Sequence, residues 1–258
     1  MNLENPPVIQ TWIGFAFEPS PQKRAWDFNI ARDFLLRYRD SFTHIEAIFE
    51  ETVQIQELTP TRQEIVERKV GLNRIRARDE GATRWLQLSD DRLVFNLTSG
   101  GSEYPGYGHL RDEALAKLVD YVEHFRSQEV RHTELHYVDL IEIPKPPGGR
   151  LEIKDYFRLR LELPEVFGPT WDFSFRVLLR ADAPEDILEV RIRSELASPE
   201  TEVYRFRTDW HMMCSNVATN DIDIIRHRLD AAHNCLLKYF RASVTDETWA
   251  LFRPSEEG

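Results

Sequence analysis

An acidic residue, Asp139, stands in a segment that otherwise has the character of a buried strand, Val130 to Pro144. Alternation along a strand puts Asp139 on the same face as Tyr137 and Ile141. If that face is buried, the carboxyl group must accept hydrogen bonds or its pKa rises. Such a group is either a general base or ligand-binding carboxylate, or a structural carboxylate held by backbone amides or an arginine. Because the sequence supplies no catalytic partner for it, the structural role is favoured.

A ligand cavity between a sheet and a covering helix would need a few polar groups in an otherwise apolar lining. The candidates for such ligand-binding groups are Tyr137, Asp139, His136 and, from a predicted helix near the carboxyl end of the chain, His233. A small-ligand receptor or an enzyme therefore stays open as an alternative to a structural role for Asp139.

Histidine and cysteine spacing does not predict a metal site. His211 and Cys214 have a loosely zinc-like spacing, but His233 and Cys235 stand two apart on a predicted helix and so point about 200° away from each other. The sequence also lacks a G-x-S-x-G elbow and the glycine-rich signatures of dinucleotide-binding proteins and kinases. We therefore assign no catalytic residue, no metal and no cofactor, and the balance favours a protein that is not an enzyme.

Arginines alternate with apolar residues along four predicted strands in the second half of the chain. Those expected on the solvent-exposed face are Arg158, Arg160, Arg176, Arg180, Arg191, Arg193, Arg205 and Arg207. The carboxylates expected on the same face are fewer: Glu162, Asp172, Glu189, Glu195 and Asp209. Cross-strand pairs of arginine and carboxylate, which commonly hold such sheets together, are the favoured explanation of this pattern. The excess of arginine also suits a surface that binds another protein or nucleic acid, although no exposed aromatic residue is evident there for stacking on bases.

The overall composition is that of an acidic globular protein. The 258 residues carry a formal net charge of -11, so the surface as a whole is not expected to attract nucleic acid or anionic lipid. Two cysteines are too few for a disulfide framework and fit a reducing compartment. The first residues lack the basic and apolar regions of a secretory signal, and no apolar run approaches the length of a membrane span. We therefore predict a cytoplasmic protein without a membrane partner.

The order of elements predicts an α+β fold of two pseudo-repeated halves, each an antiparallel sheet packed on a long amphipathic helix. The N-terminal half, residues 1–143, contains strands, helices at 21–39 and 110–126, and an exposed insertion at 59–82 whose polar residues follow no period. The C-terminal half, residues 150–258, contains a four-strand meander and a helix at 221–242. A proline- and glycine-rich run separates the halves, which we expect to form one compact unit.

Several short motifs follow one another along the chain. Pro7-Val8 opens the first strand, Leu93-Val94-Phe95-Asn96 lies in a hairpin, Tyr104 and Tyr107 precede a helix, LHYVDLIEIP follows it, and Phe240 to Thr245 has the pattern F-x-x-x-[VI]-T. In these motifs the chain resembles a sporadically distributed family of uncharacterised bacterial proteins of similar length. That family tends to read R-Y-x-N where this chain has His136-Tyr137-Val138-Asp139. The resemblance implies no activity, and the patchy distribution implies a link to phage-defence or toxin–antitoxin loci.

These observations favour a non-enzymatic binding or partner protein of a bacterial defence or toxin–antitoxin system. It would act through the arginine-bearing face or through the groove between the halves, and its partner would be another protein encoded nearby. Nucleic-acid binding, a small-ligand cavity and a homodimer stay open as alternatives.

Overall fold

The computed structural model describes residues 6–18, 26–59, 62–99, 104–126, 129–145, 152–158, 174–181, 183, 185–195 and 203–252, with the backbone alone described between 51 and 71. The strands are β1 (Val8–Phe17), β2 (His44–Thr59), β3 (Arg62–Arg78), β4 (Arg84–Ser89), β5 (Arg92–Thr98), β6 (Val130–Pro144), β7 (Ser174–Arg180), β8 (Ile187–Glu195) and β9 (Val203–Cys214). The helices are α1 (Phe28–Leu36), α2 (Tyr107–Phe125), α3 (Ile222–Ser243) and α4 (Asp246–Ala250), with a 3-10 turn at Ile153–Asp155.

These strands form a single nine-stranded antiparallel sheet in the order β2-β3-β4-β5-β1-β6-β9-β8-β7. β1 lies at its centre and pairs with β5 on one side and β6 on the other. β6 pairs in turn with β9 in one continuous register, from Thr133 opposite Cys214 to Pro144 opposite Val203. The β6–β9 ladder therefore joins strands of the two halves that the sequence predicts.

The predicted fold of two repeated halves, each packed on its own helix, is wrong. Without the β6–β9 ladder, both strands would be edge strands with rows of unpaired backbone N–H and C=O groups. Pairing them satisfies those groups and gives one sheet with one continuous core. Alternation within a strand predicts which residues share a face, but it does not predict which strand is its neighbour in the sheet. The sequence pattern therefore could not distinguish one sheet from two.

The segment 59–82, predicted to be an exposed insertion, is mostly strand. β3 pairs with β2 over most of its length and with β4 from Arg74 to Arg78. Among its described side chains, Ile75 and Ala77 are fully buried in the core. The alternation of Ile75 and Ala77 with arginines is by itself too short to predict a strand.

The three longer helices cover one face of the sheet. α1 packs beside β2 and β3, α2 beside β1 and β5, and α3 beside β6 and β9. The helices predicted at 110–126 and 221–242 match α2 and α3 closely. The helix predicted at 21–39 is shorter where it is described, because Asp27 caps α1 by accepting hydrogen bonds from two backbone amides of its first turn. No helix in the described ranges is long and apolar enough to cross a membrane.

The predicted C-terminal meander is present in β7, β8 and β9, which are consecutive antiparallel neighbours. The other predicted strand starts at Phe157 and lies mostly outside the described residues. Phe157 itself makes an isolated bridge with Val244, next to the end of α3.

The start of α3 offers a direct test of what stabilises the helix that covers β6 and β9. The Asp221 carboxylate accepts hydrogen bonds from the backbone amides of Asp223 at 2.9 Å and Ile224 at 3.4 Å. We expect Asp221→Ala to lower the free energy of unfolding by about 1 kcal/mol, because it leaves these amides without a protein acceptor and removes a negative charge from the helix N-terminus. Urea unfolding would measure this, and Asp221→Asn, which keeps the capping oxygen, should lose less.

Candidate functional site

Strand β6 lies in the middle of the sheet and presents different chemistry on its two faces. Tyr137 and Asp139 point to the side covered by the helices, where they are 8% and 4% exposed. His136, one residue earlier, lies on the opposite face, where its ring contacts Trp12 and His211. The prediction that His136 joins Tyr137, Asp139 and His233 in one ligand site is therefore wrong, because neighbouring residues on a strand point to opposite faces.

Asp139 is a buried carboxyl group that accepts a hydrogen bond from the side chain of Thr208. The Thr208 hydroxyl donates to its Oδ2 at 3.1 Å, and the indole of Trp210 donates in turn to the Thr208 hydroxyl at 2.9 Å. Burial raises the pKa of Asp139 to about 7, and the nearby charge of Asp209 acts in the same direction. No basic side chain in the described part of the chain forms an ion pair with this carboxyl group.

Tyr137 and His233, predicted to lie together, are brought together by β6 and α3. The Tyr137 hydroxyl lies 3.0 Å from His233 Nδ1. Tyr107, at the start of α2, stacks on the His233 ring with 3.9 Å between ring centres, and its hydroxyl donates to Asp230 at 2.9 Å. Burial lowers the pKa of His233 to about 4, so its ring is neutral near pH 7.

A cavity of about 50 Å³ opens beside Asp139, between the sheet and α3. Its lining is formed by Pro7, Val8, Tyr137, Asp139, Trp210, Leu236, Leu237 and Phe240. Asp139 is the only carboxylate among these residues, and three aromatic rings stand near it. Two of these rings, Trp210 and Phe240, meet edge to face with 5.7 Å between their centres.

The other face of the sheet, called the polar face from here on, carries a transverse row of polar and aromatic side chains. Strand register places the following residues successively opposite one another: Arg78, Trp85, Asn96, Trp12, His136, His211 and Glu189. Directly opposed residues on antiparallel strands share a face, so this row crosses β3, β4, β5, β1, β6, β9 and β8.

Glu134 organises the centre of the polar face. Its carboxylate is 4% exposed, binds the Arg92 guanidinium, and lies 3.0 Å from His211 Nε2. Burial acts to raise the pKa of Glu134, but the hydrogen bond from His211 and the charge of Arg92 outweigh it and hold the pKa below its ordinary value. Glu134 therefore stays ionised and acts as the counter-charge for the basic groups around it.

Several polar atoms on this face are buried without a hydrogen-bond partner. They are Nε of Arg92, Oδ1 of Asn96, Nδ1 of His136 and Nε of Arg207. Burial lowers the pKa of His136 to about 4, with the neighbouring His211 acting in the same direction, so this ring is neutral near pH 7. Buried polar atoms in folded proteins normally have a hydrogen-bond partner, supplied by the protein or by water.

Most of the predicted arginine surface is present on the polar face. Register and alternation place there Arg176, Arg180, Arg191, Arg193, Arg205 and Arg207. The prediction for Arg158 is wrong, because this residue follows the 3-10 turn and forms an ion pair with Asp246 at 3.2 Å. Arg160 lies outside the described residues.

The register of β7, β8 and β9 sets arginines directly opposite one another. Arg176 faces Arg191, and Arg193 faces Arg207. Together these four residues form the arginine cluster. Two carboxylates form ion pairs with members of the cluster: Glu189, which binds both Arg176 and Arg191, and Asp209, 3.5 Å from Arg207. Arg193 is exposed and has no ion pair with any described residue.

Sequence reasoning missed the aromatic and basic residues that the N-terminal strands add to the polar face. Trp12 and Trp85 both lie opposite Asn96, and guanidinium groups lie over their rings: Arg92 is 5.7 Å from the Trp12 ring centre and Arg76 is 4.9 Å from that of Trp85. Alternation in the first strand does separate Trp12 from the core residues. This alternation does not predict that β1 and β4 belong to the same sheet as the arginine cluster.

Across the described ranges, no three histidine, cysteine or acidic side chains are arranged to hold a metal ion. His211 Nε2 instead lies 3.0 Å from a carboxylate oxygen of Glu134, and His136 Nε2, on a ring that is neutral near pH 7, lies 3.8 Å from Asp209.

Comparisons with protein-family models, with curated proteins and with solved structures found no match to this chain. The resemblance to a bacterial family therefore stays a prediction, and function rests on the geometry of the two faces of β6.

Proposed function

We propose that this protein binds single-stranded nucleic acid across the polar face of its sheet, without catalysing a reaction on it. The observation that carries the proposal is the arginine cluster, in which two pairs of arginines stand directly opposite each other with two carboxylates beside them. Like charges directly opposed across strands destabilise a sheet. An anionic ligand bound to the cluster would offset the repulsion between these arginines, and this explains why they are placed together.

The chemistry of the cluster suits phosphate groups. A guanidinium group presents planar donors that match the oxygens of a phosphate, and it stays charged at any physiological pH. Arg193 is exposed and free of ion pairs with described residues, so a ligand can reach it without first breaking a contact. The Nε donor of Arg207 is likewise without a hydrogen-bond partner.

Two tryptophans on the same face favour a nucleic acid over an acidic protein. Bases stack on exposed aromatic rings, and arginine-lined grooves follow the phosphate backbone in proteins that bind single strands. Trp12 and Trp85 are each only partly buried, and both lie in the row that leads from β4 to the histidines of β6 and β9. This combination supports a ligand with both phosphates and bases.

The acidic character of the whole chain limits where a nucleic acid can bind. A net charge of -11 repels a polyanion from most of the surface, so contact is confined to the polar face. The protein partner that the sequence favoured, and a role in defence or toxin–antitoxin systems, stay compatible with this proposal and are not needed for it.

Charge reversal at Arg193 tests the proposal. We expect Arg193→Glu to weaken binding of a labelled single-stranded oligonucleotide about tenfold at low salt, since one phosphate contact becomes a repulsion. The slope of log affinity against log salt should become shallower by roughly 0.7, the contribution of one phosphate in a single strand. Fluorescence anisotropy over a series of KCl concentrations would measure both quantities.

The matched control is Arg32→Glu, which makes the same charge change at an exposed position on α1, on the side of the sheet that the helices cover. It should bind like the unmodified protein. Trp85→Leu separates stacking from charge, because it should weaken oligonucleotide binding about tenfold and leave binding of heparin, a polyanion without bases, unchanged. Equal affinity of Arg193→Glu and Arg32→Glu, or binding of acidic peptides in place of oligonucleotides, would contradict the proposal.

A further inference from the structure

The cavity beside Asp139 lies on the opposite side of the sheet from the polar face, and its chemistry is different. Apart from Asp139 and the Tyr137 hydroxyl, its lining is apolar or aromatic. The lining residues that remain partly exposed are Pro7, Val8 and Leu237, so the cavity opens to solvent between the start of β1 and α3. A volume of about 50 Å³ gives room for roughly three to five water-sized groups.

The unusual feature of this cavity is a buried carboxyl group without a cation. Asp139 is 4% exposed, and Thr208 gives it one hydrogen bond. A carboxylate has room for several hydrogen bonds, and a buried one is normally paired with a basic group. The described residues provide none within ion-pair distance.

The aromatic walls of the cavity indicate which kind of cation fits. Trp210 and Phe240 stand edge to face, and Tyr137 adds a third ring. Aromatic faces attract organic ammonium groups, while the apolar lining offers little to a strongly hydrated metal ion. The Asp139 carboxylate at the wall of this cavity would supply the negative charge that pairs with an ammonium group.

From these contacts we infer that the cavity is a binding site for the head group of a small organic ammonium compound, with Asp139 as its counter-ion and Trp210 and Phe240 as its aromatic walls. The site is independent of nucleic-acid binding on the polar face, so either proposal can fail without the other. Because the cavity admits only a few non-hydrogen atoms, we expect weak binding of isolated head groups, with dissociation constants of roughly 0.1–10 mM.

Titration of the full chain with three compounds tests this inference. Methylammonium and trimethylammonium are the probes, and tert-butanol is the neutral compound of similar shape. We expect the two cations to bind saturably at pH 8.5, in calorimetry and as a rise in melting temperature, and tert-butanol to bind at least tenfold more weakly. Equal binding of trimethylammonium and tert-butanol would contradict the role of charge.

Two variants locate the site. Asp139→Asn keeps the side-chain shape and should weaken trimethylammonium binding at least tenfold, whereas Asp33→Asn removes the same charge from an exposed position on α1 and should leave binding unchanged. Leu237→Phe narrows the opening without changing any charge and should also weaken binding. If Asp139→Asn binds as tightly as Asp33→Asn, or if no cation binds saturably, the inference is wrong.

The pH dependence of binding gives an independent readout. Only the ionised form of Asp139 can pair with a cation, so affinity should fall about tenfold for each pH unit below the Asp139 pKa of about 7. The titratable groups around it are Tyr137 on β6, Tyr104 before α2, Asp209 on β9 and, through Tyr137, His233 on α3. Burial keeps the pKa of each of the two tyrosines above its ordinary value and lowers that of His233 to about 4, so none of these three accounts for a transition near pH 7. Affinity that does not change between pH 8.5 and 5.5 would contradict the assignment to Asp139.

Discussion

Asp139→Asn should stabilise the ligand-free protein at pH 8, by up to about 4 kcal/mol more than at pH 4. The pKa of Asp139 is raised from 3.8 to about 7 on folding, chiefly by burial. A carboxyl group with a raised pKa binds its proton more tightly in the folded state, so stability is lost as pH rises from about 4 to about 7. A rise of the pKa from 3.8 to about 7 corresponds to about 4 kcal/mol. Asparagine has nearly the same shape and never carries this charge.

Urea unfolding of both proteins between pH 4 and pH 8.5 would measure this effect. His136 and His233 act in the opposite direction, because burial lowers the pKa of each to about 4 and their contribution to stability is lost as pH falls from about 6.5. Both histidines are present in both proteins, so the difference between the two pH curves isolates Asp139. A difference that stays constant across this range would show that Asp139 remains ionised when buried.

Removal of the Glu134 side chain should destabilise the protein, whereas Asp139→Asn should stabilise it. We expect Glu134→Ala to lower the free energy of unfolding by about 3 kcal/mol at pH 7, because it leaves the Arg92 guanidinium without its buried counter-charge and His211 without its hydrogen-bond partner. Glu134→Gln should lose less, since its amide oxygen still accepts a hydrogen bond. Chemical denaturation would measure both variants.

Glu142→Ala is the matched control for this experiment. Glu142 lies on the same strand and the same face, but its side chain is 48% exposed where it pairs with Arg205. An exposed pair contributes about 0–1 kcal/mol, so this variant should stay close to the unmodified protein. The Glu134 effect should also shrink in acid, since a carboxylate with a lowered folded pKa stabilises the protein above its unfolded pKa and loses that contribution as pH falls through the folded value. Equal losses for Glu134→Ala and Glu142→Ala would show that burial does not set the strength of these pairs.

Sequence alone predicted the placement of candidate residues where one element was enough, and their role in ligand binding stays a prediction. Tyr137 and Asp139 are two apart on β6 and share its buried face, and His233 lies on the α3 face that reaches Tyr137. Placement from sequence failed for His136, because neighbouring residues on a strand point to opposite faces. It also failed for Arg158, because the alternation that placed it belongs to a predicted strand that the described residues around it do not form.

The polar face could not be predicted, because it is assembled from strands that are distant in the sequence. Asn96 on β5 lies between Trp85 on β4 and Trp12 on β1, and Trp12 is followed by His136 on β6. Each of these strands shows its own polar side in the sequence. Nothing in the sequence shows that they are neighbours, or that the arginine cluster continues the same surface.

By itself, the sequence determined most of the elements and their faces, although it did not predict β3 as a strand. A period of two residues separated the core side of β7, β8 and β9 from their arginines, and a period of 3.6 residues defined α2 and α3. Only the tertiary structure decided that β6 pairs with β9, that one sheet replaces two, and that Arg193 meets Arg207 across a strand pair. The physical reason is that the alternation of polar and apolar residues is carried by each strand in its own sequence, whereas neighbouring strands are joined by backbone N–H and C=O groups, which every residue except proline supplies alike.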